Sequence, residues 1–257
     1  MKISIIGAGN IGGAVALGLA GGGMTRPEEI CVTARHSERL ERFAKAGIIT
    51  TTDNGEAAAG ADILCIAVKP WQVEEMLSAM KPSIEPYTLI VSLAPGVSAQ
   101  TLQNALPEGQ RLAYAIPNTA IEIGEGMTYI SSVNAEKKDL ALLRSIFRSA
   151  GDAQIVPLEQ MLSGTSLASC GIAYAMKFIE ASAAAGEGLG LDGKEALEAA
   201  CRTAIGAASL ILAHGALPSE EIRKVTTPNG LTERGLKAME EAGFSEAVAK
   251  GINAVKK

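Results

Sequence analysis

The sequence predicts an α/β fold in which an N-terminal doubly wound parallel sheet is followed by an all-α region. Short β-branched runs alternate with helical segments from residue 1 to about residue 157 of the 257-residue chain, as they do in α/β domains. Beyond Pro157 these runs stop and alanine-rich helical sequence takes over. We therefore predict two domains, residues 1–157 and residues 158–257.

The first region contains apolar or β-branched runs of strand length. The predicted strands are residues 2–6, 30–34, 63–68, 89–93, 112–115, 127–131 and 154–156, and a helix is predicted at residues 135–149. The second region predicts helices at residues 158–186, 193–214, 219–225, 231–242 and 244–255. The first two of these helices are apolar nearly all round, which indicates burial from more than one side. A region this short has little room to cover both, so we expect a homodimer or a higher homo-oligomer.

Composition and charge narrow the function classes. The formal net charge is −5 and the basic residues are scattered, which argues against nucleic acid or an anionic membrane as partner and favours a small molecule. The four cysteines stand singly in apolar segments without a His at ligand spacing, which argues against a disulfide frame and a metal site. We expect reduced thiols and a cytoplasmic location.

Neither a secretory signal nor a membrane span is predicted. Lys2 and the apolar run after it resemble a signal, but the many glycines of residues 7–23 would weaken a signal helix. We expect no stretch to reach the roughly 20 strongly apolar residues of a membrane span. The nearest candidate, residues 167–185, contains Lys177 and Glu180.

The first predicted strand runs into a glycine-rich turn that opens a helix, with Gly7, Gly9 and Gly12 in a G-x-G-x-x-G pattern. In this pattern Gly7 permits the tight turn, Gly9 lets a pyrophosphate approach the backbone, and Gly12 allows close helix packing. The amides at the helix start face the phosphates. In this strand, turn and helix context the hexapeptide, with Asn10 and Ile11, predicts a Rossmann-like dinucleotide site.

The end of the second predicted strand bears on the choice of cofactor. An NAD site usually carries an acidic residue about 20 residues after the glycines, whereas here the strand runs into Arg35, His36 and Ser37 and the first acid is Glu38. Because Arg binds a 2′-phosphate well, we predict that Arg35, His36 and Ser37 bind NADP(H) in preference to NAD(H). The alternative is that Arg35 and His36 form a solvated loop.

Further loops are expected at the same carboxyl edge of the sheet. They contain Val68, Lys69, Pro70, Ala94 and Asn118, which follow predicted strands. Because ligands of open α/β sheets bind outside the carboxyl ends of the strands, we predict that these residues border the cofactor. The alternatives are that the Lys69 side chain is only solvated and that each loop only connects two elements.

A second anion site is predicted far from the glycine loop, within residues 225–235. There a Pro-Asn-Gly turn enters a helix near Leu231 and leaves the amides of Gly230, Leu231 and Thr232 without intrahelical partners. Such amides at the positive end of the helix dipole suit a small carboxylate. The segment by itself is also compatible with an ordinary capped turn.

With these motifs in place, the chain resembles the pyrroline-5-carboxylate reductase family over nearly its whole length. The family's I-G-x-G-N-M is similar to residues 6–11, its V-K-P to residues 68–70 and its M-P-N-T-P to residues 116–120. Its S-G-x-G-P-A-Y helix is similar to residues 168–174, and its V-x-S-P-G-G-x-T signature resembles residues 225–232. The last two motifs, at this separation and behind a glycine loop, are quite specific.

The resemblance implies an NADPH-dependent oxidoreductase that transfers a hydride to C5 of a cyclic imine and forms L-proline. It also implies a helical dimerisation domain, with the active site between one subunit's cofactor and the helical region. The substrate carboxylate would lie on the amides described above, and the Thr232 hydroxyl would act as the catalytic group that hydrogen-bonds the ring nitrogen. By position alone this hydroxyl could equally bond its own backbone. The implied substrate-binding residues are Val225, Thr227, Asn229, Gly230, Leu231 and Thr232.

The chain departs from the family pattern at three positions. Ile172 and Ala120 stand where the family has Pro, and Asn229 stands where it has the first Gly of the signature. Asn tolerates a left-handed backbone better than most residues, so the turn at Asn229 can keep its shape. Ile172 restores an amide donor within a helix and should straighten it, which would alter the pocket wall and is compatible with a related substrate.

Two other functions stay open. A 3-hydroxyacid dehydrogenase pairs similar domains and uses a Lys on the first helix of the second one, which would be Lys177. Its pattern has Gly four residues before that Lys and Asn four after, where this chain has Ala173 and Ala181, so an ion-paired or snorkelling Lys177 is the alternative. A non-catalytic NADP-binding protein of the same fold is supported only by Ile172 and Asn229.

Overall fold

The computed structural model describes residues 1–255 and divides into two compact units, Met1–Ser169 and Cys170–Lys257. The first unit alternates strands and helices, and the described part of the second is helical. The predicted succession of an α/β region and a helical region is confirmed. The predicted domain boundary after residue 157 stays a prediction; residues 158–169 group with the first unit.

The first unit is built on an eight-stranded sheet. Its strands are β1 (Ile3–Ile6), β2 (Ile30–Thr33), β3 (Ile49–Thr51), β4 (Ile63–Ile66), β5 (Leu89–Ser92), β6 (Leu112–Pro117), β7 (Gly126–Ser132) and β8 (Gly151–Ile155). They lie in the order β3-β2-β1-β4-β5-β6-β7-β8, and the pairs from β3 to β6 are all parallel. The order reverses between β1 and β4, which is where doubly wound sheets bind ligands.

Helices cover both faces of this sheet. They are α1 (Asn10–Gly21), α2 (Glu41–Lys45), α3 (Asn54–Ala58), α4 (Val73–Met80), α5 (Ala99–Ala105), α6 (Lys137–Arg148) and α7 (Met161–Gly164), with short 3-10 turns between them. Ile3 and Ile5 of β1 belong to one buried cluster with Phe147 of α6, whereas Ile6 belongs to another with Leu77 of α4. This alternation follows the two-residue period of a strand that is covered on both faces.

Strand β3 is absent from the sequence prediction, which therefore missed one edge of the sheet. It has three residues and is partly exposed, so neither its length nor its alternation marks it as a strand. A usable signal is the unbroken β-branched run of residues 48–52, which Asp53 follows as the cap of α3.

The other side of the sheet departs from the purely parallel arrangement that was expected. Strand β7 is antiparallel to β6, and β8 is parallel to β7. Only residues 118–125 connect β6 to β7, and a parallel crossover needs a dozen or more residues. The connection from β7 to β8 contains the 12-residue helix α6, so it is long enough to be parallel.

Two of the four cysteines lie inside the sheet. Cys31 of β2 is opposite Ser4, and Cys65 of β4 is opposite Ile5, on either side of β1. Two strand spacings separate them by about 9.5 Å, which is beyond the reach of a disulfide. Burial raises the pKa of the Cys65 thiol to about 12 and also raises the pKa of Cys31. Both are therefore poorly reactive thiols.

The described part of the second unit contains α8 (Gly171–Gly188), α9 (Gly193–His214), α10 (Pro218–Lys224), α11 (Leu231–Glu241) and α12 (Phe244–Asn253). Helices α8 and α9 pack against each other. The Asp192 side chain caps α9 by accepting from the amides of Lys194 and Glu195. The Tyr174 hydroxyl donates to the carbonyl of Gly251 at 3.2 Å, which fastens α12 to α8.

The single helix predicted at residues 158–186 is wrong. The segment is divided into α7, a π-helix at Thr165–Cys170 and α8. The Thr165 hydroxyl donates to the carbonyl of Met161 at 2.7 Å, and such back-bonding bends helices. Periodicity cannot show this interruption, because the apolar pattern continues through it.

The second unit buries little of its own apolar surface. Ala196 is the only buried residue among its described residues. Leu189, Leu212 and Leu231 are 88%, 83% and 80% exposed. Exposed apolar surface on this scale is typical of interaction sites.

Helix α9 is long and apolar enough to cross a membrane by length and composition alone, since an 18-residue stretch of it has a mean hydropathy of 1.4. Among the described residues this helix, and not the predicted nearest candidate at residues 167–185, meets this test, and the absence of a membrane span stays a prediction. Its charged residues, among them Lys194 and Arg202, gather in the first half, which leaves a long apolar second half. The same composition is found in helices that protein surrounds on several sides.

Candidate functional site

The glycine loop between β1 and α1 is shaped by backbone contacts that exclude side chains. Gly7 has a φ of +106°, which residues with a Cβ rarely adopt. A methyl group at Gly12 would overlap the Gly7 carbonyl oxygen and would lie 2.7 Å from Cβ of Ala67. A methyl group at Gly9 would meet no protein atom within 4 Å. Gly12 thus lets α1 approach the sheet, and Gly9 borders open space.

Helix α1 begins at this loop without a capping side chain. Gly9 is the N-cap residue, and the first turn contains no acidic residue. The first helical bond runs from the Gly13 amide to the Gly9 carbonyl at 2.8 Å, so the amides of Asn10, Ile11 and Gly12 have no partner in the helix. These amides, at the positive end of the helix dipole, form a site that suits a diphosphate.

Hydrogen bonds fix the loop to neighbouring elements. The Gly7 amide donates to the Thr33 hydroxyl at 3.2 Å, and the Ala8 amide donates to the Thr33 carbonyl at 2.7 Å. The Thr33 hydroxyl donates in turn to Oδ1 of Asn54 at 2.7 Å. Because Thr33 is buried, β2 and the start of α3 hold the loop in place.

A cavity of about 240 Å³ lies at the carboxyl ends of these strands. Three of the predicted cofactor residues, Gly7, Arg35 and Val68, line it. The volume is below the roughly 300–1,000 Å³ of a complete small-molecule site, so the cavity fits one part of a dinucleotide. The full lining is Ile6, Gly7, Thr33, Ala34, Arg35, Thr52, Asn54, Val68, Gln72, Glu75, Met76 and Ala79.

Sequence reasoning missed most of this lining. Thr52 and Asn54 follow β3, which was not predicted. Gln72, the N-cap residue of α4, and Glu75, in its first turn, were not considered. Gln72, Glu75, Met76 and Ala79 are spaced as one helix face, but nothing in their residue types marks that face in the sequence as the wall of a cavity.

Other predicted cofactor residues lie outside the cavity lining. His36 and Ser37 are exposed after β2, and Lys69 and Pro70 are exposed after β4. Ala94 is buried after β5. The cofactor contacts of these residues stay predictions.

The side chain of Asn118 is held by contacts within the first unit. It accepts from the Met127 amide and donates to the carbonyl of Ala168, both at 3.4 Å. The Asn118 amide also donates to the Met127 carbonyl at 3.2 Å. Asn118 thus links β7 to the π-helix, and its predicted contact with the cofactor stays a prediction.

In the second unit, α11 begins at the predicted second anion site. Asn229 has a φ of +59° and is the only non-glycine residue among residues 1–255 with a positive φ. Asn adopts this conformation more readily than most residues. Gly230 is the N-cap residue, and a methyl group there would lie 2.9 Å from the Thr227 carbonyl oxygen and overlap the Thr227 hydroxyl. The turn therefore tolerates Asn at the first position and needs Gly at the second.

One of the three amides predicted to bind a carboxylate is already used. The Gly230 amide donates to the Thr227 carbonyl at 2.9 Å and closes the turn, and its predicted role as a carboxylate donor stays a prediction. Leu231 and Thr232 are the first residues of α11, and their amides have no acceptor within the helix. Those two amides stay available to an anion.

Two side chains of the first turn of α11 flank the free amides. Glu233 accepts from the Asn229 amide at 2.6 Å, which places one carboxylate at the helix start. The Thr232 hydroxyl makes no hydrogen bond to any residue of the described chain, so it does not bond its own backbone. Val225 and Thr227 are exposed in the turn before the helix. The substrate contacts of all these residues stay predictions.

The residues behind the alternative functions occupy ordinary helical positions. Lys177 is exposed and forms an ion pair with Glu180 of the same helix, as residues three apart do. Ile172 lies within the first turn of α8, and Ala120 lies in a short 3-10 helix. Among residues 1–255, no group of three or more His, Cys, Asp or Glu is placed to hold a metal ion.

Family models and relatives match nearly all of the chain. The model described as pyrroline-5-carboxylate reductase dimerisation matches residues 159–257, and the one described as NADP oxidoreductase coenzyme F420-dependent matches residues 2–96. The chain is 36% identical to pyrroline-5-carboxylate reductase of Methanosarcina acetivorans, covering 98% of this chain and 94% of that one. It is 33% identical to pyrroline-5-carboxylate reductase 1 of Dictyostelium discoideum over 97% of this chain and spans about half (48%) of that relative's length.

A solved structure has the same fold. The crystal structure of Plasmodium falciparum pyrroline carboxylate reductase with NADP bound is similar to this chain with a TM-score of 0.90. The two share 24% sequence identity, and the match covers 99% of this chain and 95% of that one.

We predict that Gly12→Ala abolishes NADPH binding, because the added methyl group would push α1 and its amides away from β1. The matched control is Gly21→Ala at the other end of α1, where a methyl group would meet no atom within 4 Å. The control should bind NADPH normally and be up to about 1 kcal/mol more stable. Titration of NADPH fluorescence measures the affinity of both variants, and thermal unfolding measures the stability of the control. Normal binding by the Gly12→Ala variant would contradict the steric role of Gly12.

Proposed function

Because the chain belongs to the pyrroline-5-carboxylate reductase family, we propose that it uses NADPH to reduce the C=N bond of pyrroline-5-carboxylate to L-proline, in proline biosynthesis. The observation that carries this proposal is the 36% identity that extends through 98% of the chain and 94% of the relative. The glycine loop and the start of α11 supply the two anion sites that a dinucleotide and a small carboxylate require. Purification and a spectrophotometric assay of NADPH oxidation with pyrroline-5-carboxylate test it, and absence of turnover would overturn it.

The first unit would hold the cofactor, which supplies the hydride when bound. The amides of Asn10, Ile11 and Gly12 bind the pyrophosphate, because they point from the positive end of α1 and no acidic residue competes in its first turn. Arg35 lies at the edge of the cavity next to this loop and binds the 2′-phosphate by charge-assisted hydrogen bonds. Gly7 keeps the loop in the conformation that presents these amides.

The second unit would hold the substrate. The amides of Leu231 and Thr232 bind its carboxylate, and the Thr232 hydroxyl hydrogen-bonds the ring nitrogen. A protonated imine is already electrophilic, so the protein has to position it more than to move protons. This fits a site in which the only proposed catalytic side chain is a hydroxyl without another described partner.

Dimerisation would supply the cover that the second unit needs. The dimerisation model matches residues 159–257, and this region leaves large apolar side chains exposed on α8 and α9. We therefore propose a homodimer or a higher homo-oligomer that buries these faces.

A cytoplasmic location is supported by the cysteines, since Cys31 and Cys65 are held apart as buried thiols.

We predict that Arg35→Asp weakens NADPH binding by about 10- to 100-fold, the loss expected for a hydrogen bond to a charged group, and leaves NADH binding nearly unchanged. Repulsion replaces attraction only for the cofactor with a 2′-phosphate. Arg144→Asp, an exposed position on α6, makes the same change of net charge and serves as the control. Fluorescence titration of the wild-type protein and both variants with NADPH and with NADH measures the six affinities. Equal losses for NADPH and NADH would show that Arg35 does not contact the 2′-phosphate.

We predict that Thr232→Ala lowers turnover of pyrroline-5-carboxylate by roughly 10- to 100-fold while NADPH affinity stays unchanged. The hydroxyl lies at the substrate's helix start, whereas the pyrophosphate lies on α1. Thr232→Ser keeps a hydroxyl and should retain most of the turnover. Steady-state kinetics with NADPH titrations distinguish the two effects, and wild-type turnover by the alanine variant would exclude this role.

We predict that the full chain is at least a dimer at micromolar concentration, because its second unit has almost no core of its own. Multi-angle light scattering measures the mass. Thermal unfolding at increasing protein concentration provides a second measurement, since association stabilises by mass action. A compact monomer whose melting temperature is independent of concentration would contradict the shared-helix arrangement.

A further inference from the structure

The cavity beside the glycine loop has one cationic and one anionic side chain in its lining. Arg35 comes from the end of β2, and Glu75 comes from α4. Neither forms an ion pair with the other or with any other described residue. Both charged groups are therefore available to a ligand, and they attract different parts of it.

The wall that carries Glu75 is one face of α4. Gln72, Glu75, Met76 and Ala79 line the cavity, and their spacing places them on a single helix face. Met76 and Val68 also pack against the buried cluster on this side of the sheet, so they form a fixed apolar floor. The polar ends of Gln72 and Glu75 border that floor.

The position and the size of the cavity indicate which part of the cofactor it takes. This step rests on the proposed function, in which α1 binds the pyrophosphate. The cavity extends from Gly7 toward β2 and β3 and holds about 240 Å³, so it accommodates the adenosine end and not the whole dinucleotide. Arg35 attracts the 2′-phosphate, and the flat adenine ring fits the apolar floor, where the thioether of Met76 makes a favourable contact with an aromatic ring.

The carboxylate of Glu75 is exposed, and in its ionised form it accepts hydrogen bonds and donates none, so a ligand meets it favourably only with a donor. The adenosine end offers two kinds of donor, the ribose hydroxyl beside the 2′-phosphate that Arg35 attracts and the exocyclic 6-amino group of the base, which lies on the α4 wall. The phosphate offers no donor and would be repelled. We propose that Glu75 recognises the adenine of the cofactor by accepting a hydrogen bond from this 6-amino group. Glu75 is thereby a specificity-determining residue for the base, as Arg35 is for the 2′-phosphate.

The test compares NADPH with reduced nicotinamide hypoxanthine dinucleotide phosphate, in which a carbonyl oxygen replaces the 6-amino group. Both are titrated by nicotinamide fluorescence against the wild-type protein, Glu75→Gln and Glu74→Gln. Glu74 is the matched control because it is an exposed neighbour on the same helix that does not line the cavity. The two variants make the same change of net charge.

The wild-type protein should bind the hypoxanthine cofactor about tenfold or more weakly than NADPH, since one hydrogen bond to a charged group is lost. Glu75→Gln should reduce this ratio to about threefold or less, because the Gln amide can donate to the carbonyl oxygen. Glu74→Gln should keep the wild-type ratio. Equal binding of both cofactors by the wild-type protein, an unchanged ratio in Glu75→Gln, or an equal reduction in Glu74→Gln would each overturn the proposal. Absence of NADPH binding by the wild-type protein would instead overturn the proposed function, and this inference with it.

Discussion

The approach of α1 to β1 at Gly12 determines where the rest of the first unit places its functional groups. No side chain fits between Gly12 and the Gly7 carbonyl oxygen, so the helix start lies directly in front of the strand end. The Thr33 hydroxyl then holds the loop from the side of β2. Because β1 and β2 end beside each other, the amides of α1 and the cavity with Arg35 become neighbouring parts of one surface.

The two helix starts proposed as anion sites differ in charge. The first turn of α1 contains no acidic residue, and its unpartnered amides suit a doubly charged pyrophosphate. At α11 the carboxylate of Glu233 already accepts from the Asn229 amide, and the Gly230 amide is used in the turn. This site therefore relies less on the helix dipole and more on directed hydrogen bonds, which suits a small, singly charged acid.

The parts of the structure that sequence reasoning predicted are those governed by local rules. The glycine spacing, the strand runs and the start of α11 follow from backbone sterics and periodicity that residues such as Gly7 and Gly12 express directly. The missed features depend on tertiary context. Strand β3 exists because β2 offers it an edge, and the π-helix interrupts an unbroken apolar pattern. The Glu75 wall faces a cavity only because α4 packs beside β4, and no local signal reports that packing.

The small core of the second unit has a consequence for the order of folding. Domains generally fold as units from the N terminus as the chain is synthesised, and the first unit contains both of its buried clusters before residue 170. The helices that follow bury only Ala196, so they leave the ribosome with their apolar faces uncovered. During that interval these faces are the part of the nascent chain most prone to aggregate and most accessible to chaperones. The yield of folded protein then depends on how soon these faces are covered.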